Sequence, residues 1–232
     1  MIYIGVDDTD NHESRGTGRL ARSIAQILGR SFQIAGVTRH QLLVDPRVPC
    51  TSHNSCAAVH VRADGDIDLV ALADDVQGLM LADYQLGSDP GLCVARAVTP
   101  AMSEFGRRAK VELVTQDEAY AVAQAAGCVL RGLAGTRDGV IGALAAVGLA
   151  ASGQDGRFLL VGTMRELAGV QPLGVVLAAG ISEVRQMDGR RLEAGLIDTC
   201  GGKLRPALRS GRAILYVQRQ ADEQPWQPVK LD

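Results

Sequence analysis

The sequence contains no C-x-x-C pair, and its five cysteines, Cys50, Cys56, Cys93, Cys128 and Cys200, are scattered and odd in number. Neither a disulfide framework nor a zinc site is suggested, and the thiols are expected to be reduced in a cytoplasmic setting. No apolar run reaches the ~20 residues that cross a bilayer; the Gly174 to Ile181 stretch is far too short. The opening Met-Ile-Tyr-Ile-Gly-Val runs straight into acids, without the basic flank and apolar core of a secretory leader. A formal net charge of −2 removes any global field favouring nucleic acid or an anionic membrane. Repeats and low-complexity segments are missing too. What remains is an ordinary globular composition, long enough for one large domain or two small ones.

Charge is nevertheless unevenly distributed. Between Asp64 and Asp89 there are seven aspartates and no Lys or Arg, whereas Arg185 to Arg219 holds eight basic residues against three acidic ones. Two solvated faces of opposite sign would account for this. The basic tail could also meet RNA phosphates, although Tyr216 is almost its lone aromatic.

Periodicity gives the organisation. Ile2 to Val6 reads as a strand ending in a polar turn, and Leu20, Ile24, Ile27 and Leu28 set a helical stripe after Thr17. Strands are expected over Gln33–Leu43, Cys56–Val61, Leu92–Ala97 and Cys128–Leu133, with Pro46 and Pro49 forcing a loop between the first two. Helices are expected over Ile67–Met80, Pro100–Arg108, Gln116–Ala126 and Gly139 to about Leu149. A hairpin about Asp188-Gly189 and a strand over Ala213–Gln218 make the tail β-rich. The fold class is α+β (mixed α/β), with ferredoxin-like βαβ elements in a body over 1–165 and a small β-rich, basic part over 166–232.

The chemistry concentrates in Asp7-Asp8-Thr9-Asp10, three carboxylates in four residues at a strand end. Held together they repel, and a hard divalent cation such as Mg²⁺ removes that cost. The alternative is a loop in which Asp and Thr cap turns. Downstream, Gly16-Thr17-Gly18 opens a helix, with Thr17 as its expected N-cap. Glycines and a helix start favour a phosphate, so metal and anion sites adjoin as a metal–triphosphate requires. Arg15, Arg19 and Arg22 could add phosphate contacts or serve only solubility. A second glycine-rich strand-to-helix turn, Gly135-Thr136-Arg137-Asp138-Gly139, lacks the G-K-[S/T] ending of a Walker loop. Asp138 would cap that helix or add a carboxylate to the metal. Of the histidines, His12 and His53 sit in loops suited to phosphate contact or proton transfer, whereas His60 alternates with apolar strand residues and reads as structural.

At these residues the chain resembles the archaeal isoleucine-tRNA 2-agmatinylcytidine synthetases. Their G-I-D-D-T-D opening is similar to Gly5-Val6-Asp7-Asp8-Thr9-Asp10, and Gly16-Thr17 follows as their glycine–threonine turn does. Asp45-Pro46-Arg47-Val48-Pro49, Ser88-Asp89-Pro90-Gly91 and Val140-Ile141-Gly142-Ala143-Leu144-Ala145-Ala146 match three further segments in order. The resemblance implies ATP and Mg²⁺ as cofactors, and a kinase-like region that phosphorylates a cytidine carbonyl before an amine displaces the phosphate. It implies Asp7, Asp8 and Asp10 as ligands of metal and phosphates, and Thr17 in phosphoryl transfer. Thr9, Gly16, Gly18, Gly135, Asp138 and Gly139 would complete the nucleotide site.

The chain departs from that pattern where Cys50-Thr51-Ser52-His53-Asn54-Ser55-Cys56 replaces a basic run and where cysteine pairs for a zinc ribbon are missing. The expected partners are therefore a nucleotide and an unidentified acceptor. A small molecule is preferred over RNA, membrane is excluded and a homo-oligomer is left open. The readings set against this enzyme are a nucleotide- or metal-sensing regulatory module without turnover, and an RNA-binding accessory protein.

Overall fold

The computed structural model describes residues 1–11, 16–48, 50, 53–219, 221 and 224–231. The expectations for His12, Arg15, Pro49, Thr51 and Ser52 fall outside them. The chain divides into two compact units, Met1–Ser152 and Gly153–Asp232.

In the first unit the strands are β1 (Ile2–Asp7), β2 (Gln33–Gln41), β3 (Ser55–Arg62), β4 (Gly91–Ala95) and β5 (Val129–Gly132), interleaved with helices α1 (Thr17–Leu28), α2 (Leu69–Ala82), α3 (Pro100–Val111), α4 (Gln116–Ala126) and α5 (Gly139–Ser152). Their order across the sheet is β2-β3-β1-β4-β5, with every neighbouring pair antiparallel. Because β3 lies between β1 and β2, β1-α1-β2 is a split βαβ crossover, and the first four strands have the expected ferredoxin-like order.

Local signals set the helix ends. Asp68 caps α2, its carboxylate accepting the amides of Val70 at 2.9 Å and Ala71 at 3.1 Å. Thr115 and Glu118 form a reciprocal capping box on α4, and Gly127 closes that helix in the left-handed conformation. Alternation along the strands gives the sheet two apolar faces. Ile4, Val6, Val59, Leu92 and Val94 are buried on one side, where α1 packs on β2 and β3 and α2 packs on β4. Cys56, Ala58, Cys93 and Ala95 join the core on the other, with Met102, Phe105 and the length of α5.

Helix α5 is apolar all round and almost wholly buried, as such a composition requires. It lies against β1 and β4 at a separation that only small residues permit. A Cβ on Gly5 would stand 2.0 Å from the Ala143 carbonyl oxygen.

The second unit contains β6 (Arg157–Leu160), β7 (Val170–Pro172), α6 (Leu173–Ala178), β8 (Glu183–Gln186), β9 (Leu196–Asp198), β10 (Ala207–Arg209), β11 (Arg212–Gln218) and β12 (Gln227–Val229). β11 pairs with β10 and β12 antiparallel and with β8 parallel, and β7 pairs with β9. Phe158, Met164, Val176, Leu204, Leu215 and Trp226 are among its core. The turn at Asp188-Gly189 forms as expected, with the Gln186 amide donating to Arg190 O and the Leu192 amide to Val184 O. The division precedes the boundary expected after residue 165, since Arg157 in β6 already pairs with Ala207 in β10. Among the described residues no helix is long and apolar enough to cross a membrane.

The tight seat of α5 generates a paired prediction. Gly5→Ala should lower the unfolding free energy in urea by about 1–3 kcal/mol through overpacking. Gly78→Ala, in the middle of α2 with nothing within 4 Å, should raise it by up to ~1 kcal/mol.

Candidate active site

The site is built where β1, β4 and α5 meet. β1 ends in Asp7, whose register partner is Gly91 at the start of β4. The Asp7 carboxylate points at the first turn of α5, where a Cβ on residue 142 would stand 1.8 Å from Asp7 Oδ2; the glycine there makes room for it. Burial first, and then the neighbouring Asp8, push the Asp7 carboxyl well above the ordinary range. Asp8 follows in the left-handed region at φ 48°, which short polar side chains tolerate better than others. Burial, then the charges of Asp89 and Asp10, raise its pKa to about 6, and Asp138 adds to the effect.

Asp10 organises the entry to α1. Its Oδ1 accepts the Thr17 hydroxyl at 2.8 Å and the Thr17 amide at 3.2 Å, while Thr9 Oγ1 donates to Thr17 Oγ1 at 3.1 Å. Thr17 is therefore the first helical residue and not the N-cap. Gly16 holds the cap position at φ 75°, and the acceptor comes from the Asp10 carboxylate. The expected capping role fails because the hydroxyl is already engaged by Asp10 and Thr9.

The second glycine-rich turn is held from below by Asp89, whose carboxylate accepts the Thr136 amide at 2.6 Å and the Thr136 hydroxyl at 2.8 Å. Gln116 on α4 clamps it from the side, donating to Asp138 Oδ1 at 2.6 Å and to Thr136 O at 3.0 Å. The amides of Gly139, Val140 and Ile141 are bonded to carbonyls of Asp89, Arg137 and Asp138. The start of α5 therefore has no open amide cradle of the kind its glycines suggested, and what it presents is the Asp138 carboxylate.

Asp7, Asp8, Asp10, Asp89 and Asp138 border one cleft of about 240 Å³, together with Thr17 and Gly139. The lining also includes apolar side chains, Leu42, Leu43, Leu113, Val114 and Ile141, together with Arg47, His53, Asn54 and Glu112. Asn54 is fixed there by donating to Leu43 O at 2.8 Å. Of the remaining expected nucleotide contacts, Thr9 and Gly16 border a separate polar hollow with Arg19 and Asp83. Gly135 lies against the Asp89 carboxylate. Gly18 lies within α1, one residue beyond Thr17.

Asp89 and the apolar lining were not among the expected site residues. The signal for Asp89 was present in Ser88-Asp89-Pro90-Gly91, a turn leading into a strand that borders β1. His60 is structural as expected. Thr38 Oγ1 bridges His40 Nε2 at 2.8 Å and His60 Nε2 at 2.9 Å, and burial lowers the His60 pKa to about 3, so its ring is neutral.

A divalent cation suits this donor set, since five aspartates and Glu112 line one cleft and two of the aspartates are forced toward neutrality. Among the described residues no three His, Cys, Asp or Glu side chains converge closely enough to enclose an ion. Mg²⁺ needs no such cage, because it commonly takes one or two carboxylates and completes its shell from phosphate and water.

No protein-family model matches the sequence, and no curated protein matches it. Among solved structures, that of a tRNA fluorescent labeling enzyme is similar over 63% of this chain at 25% identity and a TM-score of 0.55. The TiaS–tRNA(Ile2)–ATP complex gives the same 63%, 25% and 0.55. Apo TiaS, the tRNA(Ile2) agmatidine synthetase, shares the fold at 24% identity and a TM-score of 0.55. The matched part is 35%, 36% and 35% of those chains, so this chain spans about a third of their length. The resemblance carried by the motifs is thus borne out as a TiaS-like region making up part of the chain.

The crowding of carboxylates fixes a pH dependence. Asp8 holds its proton up to about pH 6 in the folded chain but only to about 4 when unfolded. The folded state binds more protons across that window, so stability falls as pH rises through it. The ligand-free protein should melt at a higher temperature at about pH 5 than at about pH 7, and Asp8→Asn should raise the melting temperature at the higher pH and shrink the difference. Scanning calorimetry reads both; an unchanged difference in the variant would refute the assignment.

Proposed function

We propose that this TiaS-like region is an ATP- and Mg²⁺-dependent, ligase-like enzyme that activates an acceptor oxygen by phosphoryl transfer, after which an amine displaces the phosphate. The observation that carries the reading is the gathering of Asp7, Asp8, Asp10, Asp89 and Asp138 around one cleft, with burial raising Asp7 and Asp8. Such an arrangement is costly in isolation and becomes favourable around a cation that phosphates also ligate.

Asp7 and Asp8, with Asp10 beside them, are the residues that would hold Mg²⁺. A bound Mg²⁺ supplies charge neutralisation for the phosphate oxygens and for the carboxylates themselves. The chain's own contribution is positioning. Asp89 and Gln116 fix the 134–139 turn, and Leu42, Leu113 and Ile141 offer an apolar surface to a flat heterocycle. The Thr17 hydroxyl, 2.8 Å from Asp10 Oδ1, has a carboxylate placed to take its proton, which supports Thr17 as the side chain taking part in phosphoryl transfer.

The acceptor we favour is a nucleoside in RNA. A preference for a small molecule followed from modules missing in the sequence, but the structural neighbours give it no support, because one of them is a complex with tRNA(Ile2) and ATP. The expected cytoplasmic setting accords with such a substrate.

Calorimetric titration with a non-hydrolysable ATP analogue tests the site. Binding should require Mg²⁺, disappear in EDTA and weaken by about tenfold or more in Asp8→Asn, each decade being ~1.4 kcal/mol. Asp89→Asn should give a smaller loss. Equal binding with and without Mg²⁺ would overturn the metal-dependent reading.

A further inference from the structure

We propose that the C-terminal unit carries an RNA-binding platform, where Arg185, Arg191 and Arg212 grip phosphates and Tyr216 stacks on a base. The inference extends the RNA-directed reading above but stands on separate residues.

Strand register places these side chains together. Tyr216 on β11 is the partner of Arg185 on β8, and Arg185 is bridged in turn to Arg191 across the Asp188-Gly189 turn. Partnered residues of neighbouring strands project from the same face, so Arg191, Arg185 and Tyr216 form one row. Arg212 lies on that face as well, an even number of residues before Tyr216. The intervening Ala213, Leu215 and Val217 point the other way, into the core. Ile214, between Arg212 and Tyr216 on their own face, is buried at 3% exposure, so the polar groups flank an apolar centre.

Electrostatics leaves this row positive. Glu183 is the acid at its centre, accepting from Arg185 Nε at 2.6 Å and lying 3.3 Å from Arg212 Nη2. The same carboxyl is held low by Arg185 foremost, and by Arg212 and Arg191 through their charges. Three guanidiniums thus face one carboxylate. Their side chains are not consumed by it, being 39% exposed at Arg185 and 52% at Arg212, with Arg191 exposed too. Glu183 itself is 9% exposed and acts as a buried tether that orients the forks above it.

An oriented set of arginine forks matches phosphate oxygens in pairs, and an adjoining phenol ring offers a π-face to an unpaired base. A single-stranded segment of RNA uses both features, whereas an acidic peptide would use the arginines and leave Tyr216 idle.

Fluorescence anisotropy of the full chain with a short labelled oligouridylate, across a salt series, tests the platform. Each phosphate contact on a single strand contributes a slope of about −0.7 in log affinity against log salt, so three arginines predict about −2. Arg191→Ala and Arg212→Ala should each lower the slope by about 0.7, and Tyr216→Ala should weaken binding roughly five- to a hundred-fold at an unchanged slope. Arg191 is exposed, so the fold of its variant is secure, and Arg191→Glu should weaken binding further. Absence of binding, slopes indifferent to both arginine variants, or polyglutamate competing equally against wild type and Tyr216→Ala would each overturn the proposal. EDTA separates the two readings, since it should abolish binding of the ATP analogue while leaving oligonucleotide affinity unchanged.

Discussion

Repulsion among carboxylates held out of water is the constraint on which the N-terminal unit turns. Asp7 lies under the first turn of α5, Asp8 projects from a left-handed backbone, and Asp89 and Asp138 close in from β4 and the α5 entry. The chain keeps three of the cleft's aspartates there through hydrogen bonds. Asp10 is satisfied by Thr17, Asp89 by Thr136 and Asp138 by Gln116. Asp7 and Asp8 are left with raised proton affinity, which is the condition in which a cation gains by displacing protons.

The thinness of α5 follows from the same demand. A helix of ordinary side chains would stand well off the sheet, and its start would not reach the carboxylate at the end of β1. Small residues along α5, with Gly5 facing Ala143 and Gly142 facing Asp7, bring backbone to backbone. Packing and site chemistry are therefore two results of one spacing.

Most of this unit was legible in the sequence because its elements are long and well punctuated. The helices expected from Ile67, Pro100 and Gln116 begin at Leu69, Pro100 and Gln116, and the strand expected over Cys56–Val61 forms as β3. The acidic cluster was legible because three carboxylates in four residues cannot be neutral in their effect on a strand end. Asp89 was harder to read, since its role depends on a turn 47 positions later, at Thr136, that only the folded sheet brings near. The apolar lining, assembled from residues between β2 and β3, after α3 and within α5, leaves no local pattern. In the C-terminal unit β7, β9, β10 and β12 are three residues each, too short for any periodicity to show. The row of Arg191, Arg185 and Tyr216 escaped for a related reason: strand pairing creates it, and its members are not at regular intervals in the chain.

The backbone at Asp8 narrows what evolution can write there. With φ at 48°, the position favours glycine, asparagine or aspartate over longer and branched side chains. Glycine and asparagine satisfy the backbone but bring no charge. Glutamate brings the charge on a longer arm and with less tolerance for that conformation. One residue in the genetic alphabet meets both demands well, so drift at this codon has almost nowhere to go while the cleft retains its chemistry.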